Sequence, residues 1–222
     1  SNNPVSKKDP LGLYEIDVHY YLTYFLALKT GCFTPDEARL IAEGDQGTDE
    51  NPDTLPGLGT DAKQQRQNRD YHALHPGSQE GQGSPDLWQQ AMAGRTNYVG
   101  LGRYLHYLQD TFSHAGYHSD VYGHAGALHY YDKTATDVPK AMRMAGATWK
   151  ALNDFAKEKK CGCQGKFDPS WWGQVHDFAI EHGANFDALE TIDSRGEIDN
   201  FLLTNTPAYL EKKRRILGVP RR

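Results

Sequence analysis

The 222-residue chain contains no apolar run approaching the ~18 residues of a spanning helix, which excludes a membrane-crossing segment. Strand-like alternation of useful length is also missing, so neither a sheet sandwich nor a βαβ layer is expected. Cysteine is scarce. Cys32, Cys161 and Cys163 cannot all pair, and a chain this long can build a core without cross-links, so a disulfide framework is not expected. No excess of basic charge exists: the formal charge is −5, which argues against tight binding to polyanions as the main activity. No signal-peptide pattern is visible. Hydrophobic residues at 38% nevertheless permit a real core, and one globular domain is the natural organisation. Histidine is what stands out: nine of the ten lie from His19 to His176, a clustering that calls for a chemical reason.

The pattern along the chain is helical. Residues 1–13, SNNPVSKKDPLGL, read as an arm or linker, and the domain occupies 14–222. Apolar residues from Ile16 to Lys29 suit a first helix. Thr34, Pro35 and Glu37 form an N-cap, a first-turn proline and a capping-box acid, opening a short second helix. The glycines, prolines and acids of GDQGTDENPDTLPGLGTD then predict a long loop from Gly44. Ser84 and Pro85 open a pattern that predicts one long helix to about Ser113. A His-rich loop follows, then helices starting at Asp137 and Asp168 and a last one near Pro207–Leu217. The fold class is all-α, a single helical domain with long loops.

Chemistry concentrates in HYLQDTFSH. Steps of four place His106, Asp110 and His114 within an arc of ~80° on one helical face, so they can converge on a divalent ion. Leu105, Leu108 and Phe112 flank that face, and burying a carboxylate beside core without a cation is costly. Asp17 and His19 open the first helix. The loop acids offer one further carboxylate, Asp49 first and Asp45 second. His72, rather than His75, follows a packed neighbour in RDYHALH. GHAGALHYYD adds His124, His129 and Asp132. These segments offer too many ligands for one tetrahedral ion and enough for two or three, a multinuclear metal site ringed by loops.

The order of these motifs resembles the zinc-dependent phospholipase C and single-strand nuclease superfamily, all-α enzymes with a trinuclear zinc site, over roughly Tyr14 to Asp132. The wording DVHYYLTYFLA, QDTFSHAGY and GHAGALHYYD is similar to an uncharacterised bacterial branch with that motif order. The resemblance implies zinc on His19, Asp49, His72, His106, Asp110, His114 and His124, closed by Asp132 or His129, with Asp49, His106 and Asp110 as the catalytic group. In that superfamily the mature terminal amine binds one zinc, whereas here thirteen residues precede Tyr14, so either Asp17 substitutes or cleavage exposes an amine. The gap from Asp110 to His114 is also shorter than in the classical enzymes. DPLGL at Asp9–Leu13 resembles the motif closing the core of rearrangement-hotspot (Rhs) repeat proteins, where self-cleavage after the leucine frees a carboxyl-terminal toxin. That resemblance implies a parent Rhs repeat shell, a cognate immunity protein, and secretion of the domain as an effector into a target bacterial cell.

The expected chemistry is phosphoester hydrolysis by a metal-bound hydroxide formed near neutral pH. Net acidity and the lack of a basic groove favour a phospholipid substrate, with tyrosines such as Tyr20, Tyr21, Tyr117, Tyr122, Tyr130 and Tyr131 beside the ligands. The spacing from Tyr14 to His19 is similar to that of single-strand nucleases and keeps a nucleic-acid substrate as the alternative. A zinc-stabilised helical binding module, with every coordination position filled by protein, is the non-enzymatic alternative. The CGC at Cys161–Cys163 reads as inert, Trp171 and Trp172 as core or lip, and Lys212–Arg215 as a solvated helix end.

Overall fold

A computed structural model describes residues 15–56, 61–94, 96–114, 134–160, 162–181 and 195–222. They form an all-α fold with no strand among the described residues. A π-helical segment, Glu15–Leu22, runs into α1 (Thr23–Lys29). Then follow α2 (Pro35–Glu50), α3 (Ala62–Tyr71), α4 (Pro85–Met92), α5 (Tyr98–His114), α6 (Val138–Lys159), α7 (Pro169–Ile180) and α8 (Arg195–Leu217). Among the described residues no helix is long and apolar enough to cross a membrane.

The helix starts follow their local chemistry. Thr34 and Glu37 make the expected capping box on α2, and Asp61, Ser84, Asp137 and Asp168 each cap a helix by accepting backbone N–H bonds. Three boundaries differ from the sequence reading. The segment from Gly44 to Glu50 is the second half of α2, not loop, because its residues bury against α5 and packing overrides the weak helix propensity of two glycines. The long helix from Ser84 is two, α4 and α5, separated at 93–97 around Gly94, whose φ of 78° no helix accommodates. The last helix begins at Arg195 and carries Pro207 inside it rather than at its start.

α2 and α5 are the most closely paired helices of the molecule. A Cβ on Gly102 would stand 2.2 Å from the Ile41 carbonyl oxygen and 2.5 Å from the Asp45 nitrogen; one on Gly44 would stand 2.5 Å from the Val99 carbonyl oxygen. Two glycines, one per helix, therefore let the backbones touch where any side chain would wedge them apart. On the far side of α5, Met144, Leu152 and Phe155 of α6 join Phe25, Leu26 and Leu105 in the principal core, and Phe178 of α7 completes it.

Contrary to the sequence reading, there is a disulfide. Cys32 and Cys163 are bonded with S–S 2.07 Å across a sequence separation of 131, joining the turn before α2 to the connection between α6 and α7. Their distance along the chain concealed a pairing that helix packing creates. The basic run also departs from a solvated end: Lys213 is fully buried, while Arg214 and Arg215 both pair with Glu211.

Candidate metal centre

The close crossing of α2 and α5 sets two pairs of side chains against each other. Asp45 and Asp49 lie one turn apart on α2; His106 and Asp110 lie one turn apart on α5, with His106 one turn beyond Gly102. His19 enters from the π-helical segment and His72 from the C-terminal cap of α3. Asp45, His106, His19, His72 and Asp110 are all buried, and Asp49 is 11% exposed.

Ligand atoms from His72, Asp49 and Asp110 crowd around His106. His106 Nε2 is 3.0 Å from His72 Nδ1, 3.4 Å from Asp49 Oδ1 and 3.3 Å from Asp110 Oδ2. His72 Nδ1 is 3.6 Å from Asp49 Oδ1 and 3.2 Å from Asp110 Oδ2. Donors held ~2.0–2.2 Å from a tetrahedral ion stand roughly 3.3–3.6 Å apart along each edge. The five separations, 3.0 to 3.6 Å, lie close to that figure. The second oxygens of both carboxylates turn elsewhere: Asp110 Oδ1 is 3.5 Å from His19 Nε2 and 3.9 Å from His114 Nε2, and Asp49 Oδ2 is 4.0 Å from His19 Nε2. Asp110 thus faces two groups of histidine at once.

The buried His and Asp side chains can hold a metal ion. Two such triads share His106: His19, His106 and Asp110, and Asp49, His72 and His106. Asp49 Oδ2 is buried without a hydrogen-bond partner, the condition expected of an anionic oxygen awaiting a cation. Electrostatics agree. Burial opposes charging His106, yet the carboxylates of Asp49 and Asp110 outweigh it and push its pKa up to about 9. Burial likewise opposes charging His19, but Asp45, Asp110 and Asp49 hold its pKa well above the ordinary value. Asp110, which burial alone would raise, is held well below the usual carboxylate range by His106, His114 and His19. The pocket demands positive charge.

His72 donates from Nε2 to the Thr54 carbonyl at 2.7 Å, which leaves Nδ1 with its lone pair toward the cluster. Asp45, the second choice from sequence, sits with both histidines: 3.0 Å from His19 Nδ1 and 3.3 Å from His106 Nδ1. Gln109 and Thr23, which the sequence did not single out, complete the layer behind, with Gln109 Oε1 2.7 Å from His19 Nδ1. Asp17 does not join. Its carboxylate accepts from Lys213 at 3.2 Å and from Tyr209 at 3.2 Å, because residues two apart on a helix point to opposite sides. His75 bonds Tyr107 instead of the cluster. His124, His129 and Asp132 lie outside the described residues, as do Tyr14 and the DPLGL motif.

Comparison with protein-family models, with curated proteins and with solved structures finds no match to this chain.

Proposed function

We propose that this chain is a zinc-dependent phosphodiester hydrolase of phospholipase C type, the toxin domain of a secreted Rhs-type bacterial protein. The observation that carries the reading is the pair of buried triads sharing His106, one with Asp49 and His72 and the other with His19 and Asp110: three-donor sets of the types zinc takes, which leave a coordination position for water or substrate. His72, His106 and Asp49 would hold one ion. His19, His114 and the outward oxygens of Asp49 and Asp110 face a second position, for which the His-rich loop supplies further ligands in the sequence. Zinc held there would supply Lewis acidity, lowering the pKa of water so that hydroxide is available near neutral pH, and would neutralise the phosphoryl oxygens.

The protein's own groups have distinct tasks. Asp110 spans both ligand groups and fixes their spacing. Asp49, the most exposed acid of the cluster, would serve as ligand and as the base that takes a proton from the attacking water. Neutralisation of the basic run weakens a nuclease reading: Lys212 pairs with Glu181, Lys213 with Asp17, and Arg214 and Arg215 with Glu211, so this run does not offer free cations to a phosphate backbone. Delivery by a parent Rhs shell and neutralisation by an immunity protein follow from DPLGL alone.

The test is hydrolysis by purified protein of mixed phosphatidylcholine and phosphatidylethanolamine vesicles, with plasmid and RNA in parallel. Release of phosphorylated head group, abolished by EDTA and restored by zinc, is expected. Cleavage of nucleic acid alone would replace the substrate. Zinc content without any hydrolysis would leave a zinc-stabilised binding module.

A further inference from the structure

Asp45 is fully buried at the α2–α5 crossing, yet it approaches His19 and His106 at their Nδ1 atoms, whereas Asp49 and Asp110 face their Nε2 atoms. Its Oδ2 accepts from the Thr23 hydroxyl at 2.7 Å, which fixes the rotation of the carboxylate. Thr23 in turn accepts from Gln109 at 2.8 Å, so its own proton is committed to Asp45. The other oxygen, Oδ1, is 3.0 Å from His19 Nδ1 and 3.3 Å from His106 Nδ1. Asp45 Oδ1 and His106 Nδ1 are both buried without a hydrogen bond among the described residues, and they face each other at 3.3 Å. One is an acceptor only. The other, once Nε2 gives its lone pair to an ion, must be an N–H donor. A carboxylate oxygen has room for two such donors, and Gln109 Oε1 at 2.7 Å shares the His19 proton.

We infer that Asp45 is a positioning residue that holds His19 and His106 together in the Nδ1–H form, presenting both Nε2 atoms to metal. The inference rests on the metal reading of the site, and it separates two acids of identical spacing: Asp49 ligates, whereas Asp45 acts through the imidazoles. A carboxylate behind a ligating histidine raises the basicity of the ring and sets its orientation, and removing such a partner typically weakens metal binding ~10–100-fold. One carboxylate serving two rings couples the two ligand groups, since both imidazoles turn with the same side chain.

Zinc affinity is measured by competition with a chromogenic chelator for wild type, Asp45→Asn and Asp49→Asn. Asp45→Asn is expected to bind the same number of ions about 10–100-fold more weakly, while Asp49→Asn loses stoichiometry. Wild-type zinc binding with an unweakened Asp45→Asn overturns the positioning role and leaves the metal site standing; wild type that binds no zinc overturns both. Nitrogen-15 NMR of the zinc-loaded wild type gives a reading independent of any variant's folding. His19 and His106 should carry the proton on Nδ1 and His72 on Nε2; a proton on Nε2 of His106 overturns the inference.

Discussion

Two groups of buried acid flank the same π-helical segment, and they are balanced differently. Asp17 faces Lys213, which is fully buried, donates to the Thr134 hydroxyl at 2.5 Å and lies 4.1 Å from the centroid of the Phe178 ring. There the chain supplies its own cation. Two positions on, His19 faces Asp45, Asp49 and Asp110, and no lysine or arginine is found in contact with these carboxylates among the described residues. Imidazoles that must stay neutral to ligate cannot balance three carboxylates. The first cluster closes itself; the second is built to be closed from outside. This contrast distinguishes a closed ion pair from a cluster that could hold a metal ion better than burial does, since Asp17 and Lys213 are as buried as Asp45, His19 and His106.

The most damaging way to break the comparison is to open the closed cluster. Lys213→Met strands the Asp17 carboxylate in the interior and should cost about 3–5 kcal/mol in urea unfolding. That cost should be the same in zinc and in EDTA, because no metal is involved. Replacing both partners, Lys213→Met with Asp17→Leu, should recover most of it, since apolar residues of similar size commonly replace a buried pair without loss. A Lys213→Met protein as stable as wild type would mean that the two clusters do not differ in kind.

Closing the open cluster is the next largest effect. Zinc at a hundred times its dissociation constant should stabilise the protein by about 2.7 kcal/mol over the same protein in EDTA. Asp110→Asn should remove that gain, since Asp110 touches every histidine of the cluster. Thermal unfolding with and without metal measures both. A smaller effect reaches the centre through its backbone. Gly102→Ala forces apart the crossing that sets Asp45 against His106 and should cost about 1–3 kcal/mol together with zinc affinity. Gly47→Ala, on the same α2 where an added Cβ meets nothing within 4 Å, should instead stabilise by about 0.5–1 kcal/mol.

The two clusters also differ in how far the sequence discloses them. The i, i+4 spacing of His106 and Asp110 on an apolar helix is a local pattern, so their convergence could be read directly. Asp45 and Asp49 repeat that spacing. Gly44 and Gly47 disguised it, because glycine reads as loop, and the real use of Gly44, close contact with Val99 on α5, depends on a partner over fifty residues away. The Asp17–Lys213 pair and the Cys32–Cys163 bond are similarly invisible, since each joins residues that only tertiary packing introduces. Thr23 and Gln109 carry no chemical signature of their own and acquire a role only as neighbours of Asp45 and His19. Helix class and the ligands on one helix are local information; the residues behind them are not.

The mildest perturbation, pH, acts on the two clusters in opposite ways. His106 has its pKa pushed up to about 9, above the ordinary 6.5 expected in the unfolded chain. In the metal-free protein this protonation therefore contributes stability that is fully present below pH 6.5 and is lost as pH rises through about 9. Metal reverses the sign. A ligating imidazole must be neutral, so zinc displaces the proton, and affinity rises by about 1.4 kcal/mol per pH unit for each proton released. The stabilisation conferred by zinc should thus grow between pH 6.5 and 9 while the metal-free protein weakens. Lys213, whose pKa burial lowers against the pull of Asp17, loses its charge only as pH rises, so acidifying favours the charged lysine of the closed cluster. Calorimetric titration of zinc in buffers of different ionisation enthalpy counts the released protons. A count of zero at pH 7 would mean that His106 is already neutral, and that the open cluster does not hold the proton its carboxylates demand.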